Sequence, residues 1–357
     1  MSDQARLTSA GSFRPRARMG HHCVTLDDGH RVGVSVGGCG VPLVLQHGVA
    51  MNRRSYLRLL SRLAASGFLV VALDAAGHGD TIGLPEPRTF SGMSALTLRT
   101  LDALGIRQAV FLGHSMGGRM AIELAATRPD RVLAAVLVDA AAGTTFDQKA
   151  LRAHTAPHTI AWGLAAAVCD VVLEQRTLRG WAHVRYAQLV GRAVWHAARH
   201  PAEPLWAIRA IAAASDSSAH LRALAAHDIP TFVVHARNDL IVPWQSALDM
   251  ARLTQGALYE VPNASHGWIL ADPDRGANVV TDLLDNELIH IFNRAQHTQD
   301  RTARTPAGWA DSLLTPDASV RRMVAAEHMS TDSSPLPRPA PASGGVAAEG
   351  AAVANNK

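Results

Sequence analysis

Residues 113–118 read Gly113-His114-Ser115-Met116-Gly117-Gly118, and the segments on either side decide what that hexapeptide means. Ahead of it stands the apolar run Ala109-Val110-Phe111-Leu112, with β-branched and aromatic members, which predicts a buried strand. After it, Met116, Met120, Ala121, Leu124 and Ala125 recur at helical spacing until Arg128-Pro129 stops them. The hexapeptide contains G-x-S-x-G, a pattern that is common by chance when it stands alone. Between a strand and a helix it describes a sharp turn that pushes a serine out of the end of a sheet, and its glycines permit that turn.

The same rhythm extends in both directions. Cys23–Leu26 and Arg31–Val36 alternate around Asp27-Asp28-Gly29, which predicts a β-hairpin. Val41–Leu45 is an apolar strand ending in Gln46-His47-Gly48-Val49; a helix over Ser55–Ser66 follows, and Phe68–Leu73 is a further strand ending at Asp74. Met93–Leu104 predicts a helix, and Val132–Val138 a strand ending at Asp139. Continuous apolar strands alternating with helices predict an α/β fold with a mostly parallel sheet covered on both faces. In such sheets ligands bind outside the carboxyl ends of the strands, where His47, Asp74, Ser115 and Asp139 all fall.

From about Ala140 to His227 the strand rhythm stops, and an Ala-rich helical segment carries Trp162, Trp181, Trp195 and Trp206. It predicts a helical cap, residues 140–227, inserted into a core of residues 20–139 and 228–295. Strands return at Pro230–His235 and Ala257–Val261, and a last helix is expected over Asp274–Phe292. Residues 1–19 and most of 296–357 are expected to be disordered; within the latter, Trp309, Leu313, Leu314 and Met323 suit a short docked helix.

Composition narrows the field. The 357 residues are 48% hydrophobic and carry a formal charge of +4, too small an excess to suggest nucleic acid as a partner. Arg14, Arg16 and Arg18 read as a solvated tail. Three scattered cysteines, Cys23, Cys39 and Cys169, argue against a disulfide framework and for a reducing, cytoplasmic setting. No apolar leader precedes Gly20, and the longest apolar stretch, about Ile160–Leu173, is short for a membrane span and holds Asp170. Peripheral contact with lipid stays compatible with this composition. His21-His22 has no third ligand at a recognisable spacing, so no metal is expected; Gly37-Gly38-Cys39-Gly40 lacks the features of a phosphate loop, and no cofactor is called for.

A serine hydroxyl needs a base to take its proton, an acid to orient that base, and donors for the developing oxyanion. His266, in the loop after the last strand, is the candidate base. Asp239, after the Phe232–His235 strand, is the candidate acid, with Asp139 as the alternative. The backbone N–H groups of Met116 and Val49 are the candidate oxyanion donors, and His47 is expected to brace its loop.

Together these segments resemble the α/β-hydrolase superfamily, in its lipase, esterase and haloperoxidase-like branch. His47-Gly48 is similar to the family's oxyanion H-G, Asp74–Gly79 to its D-x-P-G-x-G, Asp239–Pro243 to its acid loop and Ser265-His266 to its terminal histidine. The resemblance covers roughly residues 21–295. It departs at Ala76 for a usual Pro, Thr81 for Ser and Ala236 for Gly, all of them loop positions outside the candidate triad. The resemblance implies a Ser115–Asp239–His266 serine hydrolase working through an acyl-enzyme; carboxylic esters are the expected substrates, and the apolar cap suggests a small one with an apolar group. His47, Gly48, Asp74, His78, Gly113, His114 and Gly117 would shape the site. It leaves open a cofactor-free perhydrolase, a thioesterase or a carbon–carbon bond hydrolase with the same triad, and a non-catalytic member that binds a small molecule or a partner.

Overall fold

The computed structural model describes residues 16–85, 88–155, 158–214, 216–298 and 305–329. Arg14 and the expected disordered stretches before residue 16 and after 329 lie outside the described residues. Eight strands form one sheet: β1 (Gly20–Thr25), β2 (Arg31–Gly37), β3 (Val41–Gln46), β4 (Phe68–Leu73), β5 (Ala109–His114), β6 (Val132–Val138), β7 (Thr231–Ala236) and β8 (Ala257–Val261). Their order is β1-β2-β4-β3-β5-β6-β7-β8. β1 and β2 are the expected hairpin, β2 runs antiparallel to β4, and every neighbouring pair from β4 to β8 is parallel.

The continuous apolar runs follow from burial on both faces. Val44, Val71, Phe111 and Val233 face one layer, built on α2 (Phe90–Leu104), α3 (Met116–Thr127) and α9 (Trp244–Thr254). The alternate residues Leu43, Leu45, Val70, Leu112 and Val234 face the other, with Leu59, Leu60 and Leu63 of α1 (Leu57–Ala65) and Leu283 and Leu284 of α11 (Pro273–Thr298). At about 1.5–3 kcal/mol for each fully buried aliphatic side chain, these layers supply the main drive for folding. Only the edge strand β1 alternates buried and exposed positions. Before α1 the chain makes a 3₁₀ turn over Arg53–Tyr56, because the Asn52 side chain caps the N–H groups of Arg54 and Ser55. The last core helix extends beyond the expected bounds at both ends.

Between β6 and β7 lie α4 (Thr144–Thr155), α5 (His158–Thr177), α6 (Trp181–Arg199), α7 (Ala202–Ala213) and α8 (Ser218–Ala226). The short α10 (Trp268–Ala271) follows β8 and meets α6. The cap tryptophans do not all pack inward: Trp181 is 76% and Trp195 62% exposed, while Trp206 is half-buried against the core. No described helix is long and apolar enough to cross a membrane.

After residue 304 come α12 (Pro306–Ser312) and α13 (Ser319–Met329). Trp309 packs edge-on against Phe292 at 5.5 Å, Leu313 O accepts the Arg107 N–H at 2.8 Å, and α13 lies against β1 and β2.

Candidate active site

β5 delivers Ser115 to the carboxyl edge of the sheet, at the first turn of α3. Its backbone sits at φ 56°, ψ −118°, a conformation an L-residue holds only when its surroundings fix it. They do: its N–H donates to Val138 O at 3.0 Å, and its C=O accepts from Gly118, Arg119 and Ala141 at 3.0, 3.3 and 3.0 Å. Gly113 and Gly117 are glycine for space. A Cβ on Gly113 would stand 2.4 Å from Gly117 O, and one on Gly117 would stand 2.1 Å from Gln46 O. The helix therefore rests directly on the strand ends beside the serine.

The loop after β3 closes on this turn. A Cβ on Gly48 would lie 3.2 Å from Ser115 Cβ and from His114 Nδ1, so the Gly48 backbone passes close to both side chains. Among the described residues, no acceptor takes the N–H of Val49 or of Met116. His47 holds the loop: its Nε2 accepts the Ala75 N–H at 2.9 Å, so Nδ1 carries the proton and donates to Gly48 O at 2.8 Å. Burial pushes the His47 imidazole down to about 3, and it stays neutral. His78 stacks near it at 5.1 Å and donates from Nδ1 to Ala76 O.

A second chain of bonds runs beneath the turn. The Gly48 N–H donates to Tyr56 Oη at 3.3 Å, Tyr56 Oη–H to His114 Nδ1 at 2.7 Å, and His114 Nε2–H to His266 O at 3.0 Å. The directions are forced, because a carbonyl only accepts. Burial holds the His114 imidazole down at about 3, so it too is neutral. His114 thus ties the loop after β3 to the loop after β8.

Asp74 anchors the whole corner. It accepts the N–H of Arg53 and of Asp80, both at 2.8 Å, and pairs with the Arg53 guanidinium; Arg53 and Asp74 are each 1% exposed. Thr81 Oγ1 accepts the Gly33 N–H at 3.0 Å and donates to Asp74 O at 2.9 Å, so the Thr-for-Ser departure keeps the hydroxyl where the loop needs it. Asp74→Ala would take the buried counter-charge from Arg53, leaving it only the half-exposed Asp80 carboxylate, and would strand the N–H groups of Arg53 and Asp80. It is expected to lower the unfolding free energy by about 3–5 kcal/mol, measured by urea denaturation; a loss below about 1 kcal/mol would remove Asp74 as the anchor.

His266 and Asp239 come together across 27 residues, with His266 Nδ1–H donating to Asp239 Oδ2 at 2.7 Å. Asp239 Oδ1 accepts the N–H groups of Ile241 and Val242, each at 2.8 Å. Burial works against the charge on both partners, and their mutual attraction outweighs it: the Asp239 carboxyl is held below its ordinary range and the His266 imidazole is pushed up to about 9.

Asp139 does not reach His266. Its Oδ1 accepts the Ala236 N–H and its Oδ2 the Trp268 Nε1–H, each at 2.7 Å. Burial, with Asp239 adding to it, drives the Asp139 carboxyl well up. His235 lies between the two acids. Its Nε2–H donates to Val242 O at 3.0 Å, so its Nδ1 is an unpaired acceptor 3.6 Å from Asp139 Oδ1. Asp139, His235 and Asp239 offer ligand atoms within 4.8 Å of one another, but all four carboxylate oxygens already accept an N–H.

Two further carboxylates arrive from α5. Asp170 and Glu174, both buried, accept backbone N–H groups of Leu240, His266 and Ser265. Only Asp170 carried any signal in the sequence, as the charge interrupting the longest apolar run.

The family profile described as alpha/beta hydrolase fold matches residues 41–162. A protein of Mycobacterium phage D29, provisionally named a non-heme haloperoxidase, is 40% identical over 283 residues, 77% of this chain and 98% of the relative. The chain belongs to the α/β-hydrolase fold family. Among solved structures, a bacterial membrane phospholipase A aligns at TM-score 0.60 and 22% identity, over 75% of this chain and 86% of its own. An esterase from Thermogutta terrifontis aligns at TM-score 0.58 and 23% identity, over 76% and 98%. At such identities the two structures speak for the fold alone.

Proposed function

We propose that the protein is a serine hydrolase of carboxylic esters. The observation that carries this reading is one corner of the sheet holding a strained Ser115, two N–H groups without acceptors, and the Asp239–His266 pair. In the reaction, Ser115 Oγ bonds to the ester carbonyl carbon and passes its proton to His266. The carbonyl oxygen becomes an oxyanion against the Met116 and Val49 N–H groups. The C–O bond breaks as His266 protonates the departing alcohol, leaving an acyl-enzyme. Water, deprotonated by His266, then attacks that acyl group and releases the acid and Ser115.

A second reading, perhydrolysis, draws on the name of the phage relative. Hydrogen peroxide in place of water would attack the same acyl-enzyme and release a peracid. Both readings need the acyl-enzyme, so one experiment tests them. The full chain is treated with a fluorophosphonate probe and the labelled peptide is sequenced. It is then assayed on p-nitrophenyl esters of rising chain length, the matching thioesters, and acetate with peroxide. Label on Ser115 with ester turnover is expected. A folded protein that takes no label loses both readings, and the non-catalytic binding reading then stands. Thioester or peracid turnover well above ester turnover would move the substrate class without moving the site.

A further inference from the structure

The two loops of the acid–base pair are joined by a carboxylate from outside the core. Asp170 Oδ1 accepts the N–H of Leu240, one residue past Asp239, at 3.2 Å, and the N–H of His266 itself at 3.1 Å. One turn on, Glu174 Oε2 accepts the Ser265 N–H at 2.8 Å. The two are 2% and 3% exposed. Three amides of the core thus end on one face of α5, a helix inserted between β6 and β7.

Neutral acceptors would satisfy three amides at far lower desolvation cost than two carboxylates. Charge on this face has a second target in the His266 imidazole. Ester cleavage makes that ring an imidazolium in each transition state, and a fixed negative charge beside it stabilises the charged form. We propose that Asp170 is a positioning residue of the candidate triad: it sets the spacing of the acid and base loops and, by its charge, favours the His266 imidazolium, while Glu174 seats Ser265. The site is then assembled only when α5 is docked, so the inserted helices act on the chemistry as well as on access. This inference rests on the hydrolase reading above.

The charged and titratable groups around Asp170 are His266 and Asp239 on the joined loops, Glu174 on its own helix and Tyr186 on α6. Arg275 at the start of α11 acts on Glu174. At His266, burial opposes the charged form; Asp239, Asp139 and Asp170 favour it.

The test compares Asp170→Asn, which keeps an acceptor and removes the charge, with Asp170→Ala, which removes both. The His266 ring is titrated by NMR, and kcat and KM for a neutral p-nitrophenyl ester are followed from acid to alkaline pH. In Asp170→Asn the His266 midpoint and the acid limb of kcat/KM are expected to move down by about one pH unit, with plateau kcat within about threefold of wild type. In Asp170→Ala kcat is expected to fall about 10²-fold at unchanged KM, as the imidazole loses its placement. An unmoved His266 midpoint in Asp170→Asn, or an Asp170→Ala protein that keeps kcat within about twofold, overturns the proposal. Should Asp170→Ala fail to fold, the near-isosteric Asp170→Asn decides alone. The NMR titration needs no turnover, so it still judges Asp170 if wild type proves inactive and the hydrolase reading falls.

Discussion

Ser115→Ala is expected to abolish fluorophosphonate labelling and to lower kcat on the order of 10⁶-fold on whichever ester wild type cleaves best. Such a loss needs the serine to be the nucleophile and leaves only binding and oxyanion stabilisation. The comparison that isolates chemistry from folding is Ser115→Gly. At φ 56° an alanine keeps the backbone strain of the serine, whereas glycine relieves it. Ser115→Gly is therefore expected to be as inactive as Ser115→Ala and more stable than it by about 1–2 kcal/mol in urea denaturation. The strain is sustained by the bonds that Val138, Gly118, Arg119 and Ala141 make to the Ser115 backbone. If either variant kept more than about 1% of wild-type kcat, the acyl-enzyme route would be lost, because the other groups cannot supply a nucleophile of comparable placement.

The sheet was legible because burial on both faces leaves uninterrupted apolar runs, and β4 and β6 are buried at every position. The candidate residues were legible where they stand at strand ends: Ser115 after β5, Asp239 after β7 and His266 after β8. What joins them was not. Tyr56 reaches His114 across 58 residues, Asp170 reaches His266 across 96, and Trp268 reaches Asp139 across 129. Pairings of that length leave no periodic trace, because each partner looks like an ordinary core or loop residue in its own neighbourhood. Asp170 is instructive: within an apolar run it argued against a membrane span, and the physical reason for its presence became visible only once α5 lay across the two loops. Strand position alone did not separate Asp239 from Asp139, since both follow apolar strands at the same edge of the sheet; the likeness of Asp239–Pro243 to the family's acid loop ranked Asp239 first.

Asp239→Asn is expected to lower kcat on the order of 10⁴-fold, and Asp139→Asn by less than about tenfold. Among the described residues only Asp239 bonds the His266 ring, and its other oxygen is pinned by two backbone amides, so it fixes both the tautomer and the direction of Nε2. An asparagine there still offers an acceptor but no charge to stabilise the imidazolium. The pH profile should move with it. The base must be neutral to act, so with His266 pushed up to about 9 wild-type kcat/KM should climb through neutral pH and level off only in the alkaline range. Without the Asp239 charge, burial dominates the ring, its basicity falls, and the residual activity of Asp239→Asn should level off at distinctly lower pH. Asp139 meets different demands. Burial and the neighbouring Asp239 drive its carboxyl up, and it makes no bond to the His266 ring. Its two oxygens accept the Ala236 and Trp268 N–H groups, and an Asn amide nitrogen can accept neither. One buried donor is then stranded, so Asp139→Asn should cost about 1–3 kcal/mol of stability while sparing the rate. Steady-state kinetics beside urea denaturation separates the two acids: a larger loss of kcat in Asp139→Asn than in Asp239→Asn would transfer the orienting role to Asp139.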